Sequence, residues 1–212
     1  MKYKCILFDF DGTLAHSDDA LFCTFNETLG IHGHDPITKK EFTGFAGKKM
    51  RELYSHYSDS NEVLAEEMRS THLIVQKKHL HRYILFPKVI ETLAALKEKG
   101  FILGMVTTAN KIKMNELMRL LGLSDYFKVY ITPDDVKNIK PHRDPFDKAL
   151  SLLNCSPSET LMVGDTDADI EGAKHAGIDS VAVTYSTFGV KVKEYNPTYT
   201  IDKIEDLLKI VE

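Results

Sequence analysis

The chain has few cysteines, no long apolar run and no excess of basic residues. Its 212 residues include three cysteines, at positions 5, 23 and 155. Because they are odd in number and far apart in the sequence, they do not indicate a disulfide framework. No apolar segment approaches the ~20 residues of a membrane-spanning helix, and the N-terminal apolar run is too short for a signal peptide. The formal net charge of -4 argues against a general nucleic-acid binder. We therefore expect a cytoplasmic protein that neither binds nucleic acid nor enters a membrane.

A short apolar run near the N-terminus ends in two acidic residues and a glycine, in the segment Phe8-Asp9-Phe10-Asp11-Gly12. Residues two apart in a strand point to the same side, so Asp9 and Asp11 can converge where the chain turns away. A hard divalent cation takes oxygen ligands from carboxylates and backbone carbonyls, and it would balance this charge. An Asp-rich turn after a strand is also common, so this motif alone leaves both interpretations open.

A second strand-like run, over residues 160–164, also ends in acids, at Asp165, Asp167 and Asp169. Asp165 and Asp169 are four apart, so a helix that begins here places them near one face of its first turn. Acids in a first helical turn also act as caps and suit the helix dipole. Capping explains one acid well, but it explains poorly three acids at a second strand end that mirrors the first.

Two further segments offer groups that could bind an anion. The apolar strand over residues 101–106 leads to Thr107 and Thr108, and a hydroxyl with free amides before a helix is a natural phosphate cradle. Threonines at such a place are also ordinary helix caps. Lys140 precedes Pro141 and a helical pattern, where a lysine is usually a surface charge. Each of these signals is weak when taken alone.

In their order and spacing, these segments resemble the motifs of the haloacid dehalogenase superfamily of phosphotransferases. Its four motifs correspond to residues 9–14, Thr107, Lys140 and residues 164–169. The resemblance covers the whole chain. Within the superfamily the chain is similar to the phosphoglycolate phosphatase and beta-phosphoglucomutase branch, which inserts a small helical cap after the first motif.

The resemblance implies aspartyl-phosphate chemistry with Mg²⁺ as cofactor. Asp9 is the expected nucleophile, and Asp11 is the expected general acid and then general base. The expected metal ligands are Asp9, the backbone carbonyl of Asp11 and Asp165, with Asp169 as a further ligand or a support for the metal shell. Haloacid dehalogenases share the first aspartate but lack the second, so Asp11 points to phosphate esters.

The resemblance also implies which groups bind the phosphoryl oxygens. These are Thr107, an adjacent amide and Lys140, with Thr108 as the second candidate for the hydroxyl. A glycine-rich turn over residues 44–49 lies where the family has its substrate-specificity loop. Lys48 and Lys49 in that turn are candidates to meet an anionic leaving group, although lysines in a first helical turn are more often simply solvated.

The apolar pattern divides the chain into two parts. From residue 84 onward strand-like and helix-like segments alternate, which favours βαβ units and a parallel sheet. Residues 16–83 instead suggest consecutive helices, the last of them over 61–82. We expect an α/β fold, with a Rossmann-like parallel sheet core over residues 1–15 and 84–212 and an inserted all-α helical cap over residues 16–83. Such sheets bind ligands beyond the carboxyl ends of their strands, where the candidate residues fall.

The functional hypothesis is a Mg²⁺-dependent phosphatase that hydrolyses a small phosphorylated metabolite such as phosphoglycolate. A phosphomutase, a pyrophosphatase and a nucleotidase are the alternatives. A non-catalytic module that binds a phosphorylated ligand is disfavoured, because a binding protein has no need of the nucleophile Asp9. At this chain length we expect a monomer or a weak dimer.

Overall fold

The computed structural model describes residues 2–45, 50–187 and 189–212. The chain divides into two compact units, one formed by Met1–His16 with Ile84–Glu212 and the other by Ser17–Tyr83. Among the described residues, no helix combines the length and the apolar character that a membrane span requires.

Parallel strands form the centre of the first unit. In chain order the strands are β1 (Cys5–Phe8), β2 (Ala15–His16), β3 (Ile84–Leu85), β4 (Ile102–Val106), β5 (Val129–Ile131), β6 (Thr160–Gly164), β7 (Asp179–Val183) and β8 (Tyr199–Ile201). Six of these described strands form one sheet in the order β5-β4-β1-β6-β7-β8, and each neighbouring pair is parallel. This topology confirms the predicted α/β fold with a Rossmann-like sheet.

The two shortest strands form a separate antiparallel pair where the chain leaves and re-enters the first unit. Ala15 lies opposite Leu85, and His16 lies opposite Ile84. The amide of Phe86 then donates a hydrogen bond of 3.0 Å to the carbonyl of Leu14. Neither β2 nor β3 was predicted, because two residues are too few to show an alternating pattern.

The described part of the second unit is helical. Its α-helices are α1 (Asp18–Ile31), α2 (Lys39–Thr43), α3 (Met50–Tyr57) and α4 (Glu62–Val75), and a 3-10 helix follows over Gln76–Arg82. The helix predicted over 61–82 is therefore an α-helix continued by a 3-10 segment. Phe25, Tyr54 and Met68, from three of these helices, are buried together in an apolar cluster. The unit thus has a core of its own.

Helices cover the sheet of the first unit. They are α5 (Val89–Glu98), α6 (Lys111–Leu120), α7 (Asp144–Leu153), α8 (Asp167–Ala176), α9 (Gly189–Val192) and α10 (Leu207–Ile210). Every residue of β1 and β6 is buried, as expected for central strands of a parallel sheet with both faces covered. Leu7 and Met162 belong to one apolar cluster with Phe146 and Leu150 of α7. Each such side chain contributes about 1.5–3 kcal/mol when it is fully buried.

Two of the three cysteines are joined. Cys5 and Cys155 form a disulfide bond that links β1 to the loop before β6, with 6.5 Å between their Cα atoms. Because β1 pairs with β6, the loop that leads into β6 comes beside the start of β1. The sequence indicated no disulfide framework and did not reveal this single bond, because spacing in the sequence does not report a contact across 150 residues. Cys23 is free.

Candidate active site

The ends of three neighbouring strands bring the acidic motifs together. Phe8, the last residue of β1, lies opposite Met105 of β4 and Val163 of β6. The chains that follow these strands therefore leave the sheet side by side at its carboxyl edge. The amide of Asp9 still donates to the carbonyl of Val163, at 2.9 Å, so the nucleophile candidate stands one residue beyond the sheet.

A buried lysine lies at the centre of this site. The Nζ atom of Lys140 donates to Oδ1 of Asp9 at 2.7 Å and to Oδ1 of Asp169 at 2.6 Å. A third bond, of 2.9 Å, runs to the carbonyl of Val106 at the end of β4. Lys140 is therefore not the surface charge that a lone lysine before a proline usually is. Its three hydrogen bonds go to a residue just after β1, to the last residue of β4 and to the first turn of α8.

The chain supplies more buried negative charge here than Lys140 can balance. Asp9, Asp165 and Asp169 are all buried and each offers a carboxylate oxygen, and these three atoms lie within 4.8 Å of one another. With Lys140 as the neighbouring cation, the three ionised carboxylates keep a net charge of two negative charges, which one divalent cation would neutralise. Buried charge that is not compensated is costly, so the cluster favours either protonation or a bound cation.

The electrostatics of the acids reflect this excess. Burial raises the pKa of Asp9 to about 7, a shift that Lys140 opposes and the charge of Asp169 reinforces. Burial also raises the pKa of Asp165 well above its usual range, and the charges of Asp9 and Asp169 act in the same direction. Burial alone would lower the pKa of Lys140, but the charges of Asp169 and Asp9 raise it above its ordinary value.

One carboxylate oxygen in the site has an unmet need for a partner. Oδ1 of Asp165 accepts a hydrogen bond of 3.1 Å from the hydroxyl of Thr13. Oδ2 of Asp165 is buried and has no hydrogen-bond partner among the described residues. Buried polar atoms are nearly always paired, and an unpaired one calls for a specific explanation. A hard cation that takes oxygen ligands would provide that partner, so the residues present fit Mg²⁺.

The turn after β1 leaves room for this oxygen. The carbonyl of Phe10 accepts from the amides of Leu14 and Ala15, at 3.0 and 3.1 Å, which closes a tight turn. Gly12 within it has a φ of 81°, a conformation that glycine adopts readily. A Cβ atom at Gly12 would stand 2.2 Å from Oδ2 of Asp165. Only glycine therefore lets the two acidic segments approach this closely.

Asp169 combines two tasks at the start of α8. Its Oδ2 accepts from the amide and the hydroxyl of Thr166, at 3.1 and 2.7 Å, and so forms a capping box. Its Oδ1 holds Lys140. Helix capping and the contact with Lys140 therefore do not compete, because each uses a different oxygen of Asp169.

The two threonines after β4 differ in their surroundings. Thr107 is buried, and its Oγ1 accepts a hydrogen bond of 3.1 Å from the amide of Ala109. Its own amide donates to the carbonyl of Ile131, at 3.0 Å. Thr108 is exposed. Thr107 thus lies next to Val106, whose carbonyl holds Lys140, and it is the better placed of the two hydroxyls.

Asp11 has a partner that the sequence did not suggest. Nζ of Lys113 lies 3.1 Å from Oδ2 of Asp11 and 3.5 Å from Oδ1. Lys113 is the third residue of α6 and its side chain is only 6% exposed. A signal for this position existed, because helical spacing puts Lys113 on the same face as the buried Leu117.

Two further candidates belong to the glycine-rich turn over residues 44–49. Lys48 and Lys49, proposed for substrate specificity, fall outside the described residues. Arg143, three residues after Lys140, forms an exposed ion pair with Asp147, with 2.6 Å between Nε and Oδ2.

Fold and site together define the class of this protein. It is a Rossmann-like α/β protein whose candidate active site lies beyond the carboxyl ends of its central strands, with buried acids suited to a divalent cation. The family model described as haloacid dehalogenase-like hydrolase matches residues 6–183. The chain belongs to this family.

Sequence relatives agree with that assignment. The chain is 35% identical over 213 residues to the pyrophosphatase PpaX of Bacillus mycoides, and the match covers all of this chain and 98% of that protein. It is also 35% identical to the pyrophosphatase PpaX of Anoxybacillus flavithermus, again over all of this chain and 98% of the relative. Family and relatives confirm the predicted enzyme class, a phosphatase of this superfamily.

Solved structures share the whole architecture. A crystal structure of "a predicted phosphoglycolate phosphatase" from Haemophilus somnus is 26% identical with a TM-score of 0.91, and the match covers 100% of this chain and 99% of that one. A haloacid dehalogenase-like hydrolase from Streptococcus pneumoniae is 25% identical with a TM-score of 0.86, over 100% and 99% of the two chains. The similarity thus extends across both units of the chain.

Proposed function

We propose that this chain is a Mg²⁺-dependent phosphatase that hydrolyses a small phosphorylated metabolite through an aspartyl-phosphate intermediate on Asp9. The observation that carries the proposal is the buried contact of Lys140 with Asp9, beside an Asp165 oxygen that has no hydrogen-bond partner among the described residues. A nucleophile, a cation that binds the phosphoryl group and a carboxylate oxygen suited to a metal ion are parts that phosphoryl transfer uses.

The proposed metal ligands are the carboxylates of Asp9 and Asp165 and the backbone carbonyl of Asp11. Asp169, fixed by Thr166 and Lys140, would hold the metal shell in place. Bound Mg²⁺ would neutralise negative charge on the phosphoryl oxygens and supply the positive charge that the buried acids lack.

In the first step an oxygen of Asp9 attacks phosphorus, and the bond from phosphorus to the leaving oxygen breaks. The leaving oxygen takes the electron pair and receives a proton from Asp11. In the second step water attacks the phosphorus of the intermediate and gives a proton to Asp11. The bond to Asp9 breaks, and inorganic phosphate leaves. The enzyme returns to its starting state.

Protein groups around phosphorus position the substrate in this scheme. Lys140 already touches the nucleophile, so its ammonium group is next to any phosphoryl group that Asp9 attacks. Thr107, at the end of the neighbouring strand, is proposed to bind a second phosphoryl oxygen. Positioning and charge stabilisation account for most of the catalysis in phosphoryl transfer.

The names of the relatives suggest which substrates to test first. The proteins at 35% identity are named pyrophosphatases, and one structural neighbour at 26% identity is described as "a predicted phosphoglycolate phosphatase". Both substrates are small, anionic and phosphorylated. We place pyrophosphate first because those relatives match at higher identity over the whole chain.

The proposal extends to the second unit and to the setting of the enzyme. Ser17–Tyr83 is proposed as the helical cap that selects the substrate, with Lys48 and Lys49 meeting an anionic leaving group. Changing both lysines to alanine would raise KM for pyrophosphate. It would leave kcat nearly unchanged for an aryl phosphate, whose aryl group carries no charge of its own.

A cytoplasmic location and a monomeric or weakly dimeric state stay predictions from the sequence.

The decisive experiment is phosphate release from pyrophosphate, phosphoglycolate, nucleotides and sugar phosphates, each with Mg²⁺ and with EDTA. Steady Mg²⁺-dependent release that disappears in Asp9→Asn would support the proposal. Isomerised sugar phosphate without phosphate release would instead favour a phosphomutase. Phosphate release that persists in Asp9→Asn would contradict the proposed mechanism.

A further inference from the structure

The side chain of Lys113 lies in an environment that lysines rarely occupy. Its side chain is 6% exposed, although lysines are almost never fully buried unless they are paired. The partner is Asp11, whose two carboxylate oxygens lie 3.1 and 3.5 Å from Nζ. The side chain of Asp11 is 23% exposed, so this acid keeps access to the solvent side of the site. One buried cation thus faces the proposed general acid.

The position of Lys113 in its helix is otherwise unfavourable for a cation. Asn110 caps α6, and its Oδ1 accepts from the amide of Lys113 at 2.9 Å, so Lys113 belongs to the first helical turn. The helix dipole favours acids in a first turn and disfavours cations. The contact with Asp11 is the interaction on this face that offsets that cost. It joins the segment after β4 to the segment after β1.

The two acids of the first motif are therefore held by different lysines. Asp9 contacts Lys140, which also holds Asp169, whereas Asp11 contacts Lys113. Lys140 contacts the proposed nucleophile, and its ammonium group faces the proposed phosphoryl site. Lys113 contacts neither the nucleophile nor the acid cluster in any bond found among the described residues. Its contact with the proposed catalytic groups is the one with Asp11.

We propose that Lys113 is a positioning residue that orients the carboxyl group of Asp11 for proton transfer to the leaving oxygen. The proposal rests on the proposed function above. An ammonium group near both oxygens restricts rotation of the carboxyl group and compensates its negative charge after the proton has left. A general acid must reach the leaving oxygen within hydrogen-bond distance, so a freely rotating carboxyl group would be less effective.

The test exploits the fact that a good leaving group needs little help from an acid. Values of kcat/KM would be measured for phenyl phosphate and para-nitrophenyl phosphate, because kcat/KM reports the step in which the leaving group departs. Lys113→Met should lower kcat/KM for phenyl phosphate by roughly 10- to 100-fold, a part of what general acid catalysis contributes. For para-nitrophenyl phosphate, whose leaving group is the better one, the loss in kcat/KM should be only a few-fold. Lys113→Arg, which keeps the cation, should restore most of the activity toward phenyl phosphate.

Lys111 provides the matched control. It lies in the same helical turn and pairs with Asp135, with 2.9 Å between Nζ and Oδ2, away from Asp11. Lys111→Met should leave the ratio of the two kcat/KM values unchanged. Asp11→Asn should show the same selective loss as Lys113→Met, and the double variant should lose little more than Asp11→Asn alone. Equal losses for both esters in Lys113→Met, or no loss, would overturn the positioning role.

A second measurement tests the pair without any turnover. The unfolding stabilities of Lys113→Met, Asp11→Asn and the double variant form a double-mutant cycle, in which contacting residues give non-additive effects. Additive effects would overturn the proposal even if the protein were active. A wild-type protein that hydrolyses neither ester with Mg²⁺ would contradict the proposed function, while non-additive stabilities would still support the contact between Lys113 and Asp11.

Discussion

Gly12 and Asp165 approach each other so closely that a methyl group on the first would stand 2.2 Å from Oδ2 of the second. Two segments that are far apart in the chain meet at this point, and the oxygen involved is the one that has no hydrogen-bond partner among the described residues. The approach is possible because Gly12 lacks a Cβ atom and adopts a φ of 81°. The first and fourth motifs are thus coupled by sterics as well as by charge.

Gly12→Ala is therefore predicted to remove metal binding together with activity. The added methyl group must push Asp165 away from the position in which it faces Asp9. We expect turnover to fall by roughly 10²-fold or more, with a strain cost of about 1–3 kcal/mol for an alanine at positive φ. Thermal melting with and without Mg²⁺ and a phosphate-release assay would measure the two effects.

Gly100→Ala separates the steric effect from backbone strain. Gly100 has a similar φ of 87°, and a Cβ there would meet no described atom within 4 Å. It should show a comparable loss of stability but keep the Mg²⁺-induced rise in melting temperature. If both variants lost the response to Mg²⁺ equally, the close approach to Asp165 would not be the cause.

Asp9→Asn is predicted to abolish turnover and keep the fold. The amide oxygen is a poor nucleophile, so activity should fall by roughly 10³-fold or more. The fold should persist because the backbone N–H of residue 9 still donates to the carbonyl of Val163, so the strand register is unchanged. Circular dichroism would check the fold. Asp167→Asn, an exposed acid in the first turn of α8, should keep wild-type activity as the control.

Asp165→Asn is predicted to uncouple stability from Mg²⁺. The substitution removes a buried carboxyl group whose pKa is raised by burial and by the charges of Asp9 and Asp169, so the metal-free protein should melt at the same temperature or higher. At 100-fold excess over its dissociation constant, Mg²⁺ should stabilise the wild type by about 2.7 kcal/mol. The variant should show little of that gain. If Mg²⁺ stabilised Asp165→Asn as much as it stabilises the wild type, Asp165 would not be a metal ligand.

Long apolar segments and strand-end acids allowed much of this fold and site to be predicted. β1, β4 and β6 are central strands with continuous apolar sequences, and they deliver Asp9, Thr107 and Asp165 to one edge. β8 was missed because Tyr199–Ile201 is three residues long and partly polar. Its strand conformation depends on the neighbouring β7, with which it pairs.

Other features depend on tertiary contacts that local sequence does not encode. The bond between Cys5 and Cys155 follows from the pairing of β1 with β6, which no cysteine count reports. Lys113 was missed because lysines in a first helical turn are usually solvated. Its contact with Asp11, which follows the neighbouring strand β1, depends on the tertiary fold and is not visible in the local sequence.

Asp179 is predicted to make stability depend on pH outside the active site. Oδ2 of Asp179 accepts from Lys2 at 2.5 Å and from the hydroxyl of Tyr3 at 2.7 Å. The bond from Lys2, with that from Tyr3, lowers the pKa of Asp179. A carboxyl group with a lowered pKa contributes stability above its unfolded pKa of about 3.9, and that contribution is lost as the pH falls through the folded value.

Asp179→Asn should accordingly cost about 1 kcal/mol near pH 7, and the difference from wild type should shrink below about pH 4. Urea unfolding at a series of pH values would measure it. Asp206→Asn, which removes an exposed ion pair with Lys209, is the control and should change stability little at any pH. If the difference in unfolding free energy between wild type and Asp179→Asn grew as the pH fell, the pKa of Asp179 would not be lowered in the folded protein.

Lys140→Met is predicted to be the most destabilising of the lysine changes. The substitution leaves the carboxylates of Asp9 and Asp169, with side chains 8% and 0% exposed, without the cation between them. Removal of one partner from a buried ion pair costs about 3–5 kcal/mol, because the remaining charge stays buried. Lys113→Met should cost less, since the side chain of Asp11 is 23% exposed and water can solvate it. Urea unfolding of both variants without Mg²⁺ would test the order, and equal costs would mean that burial does not distinguish the two pairs.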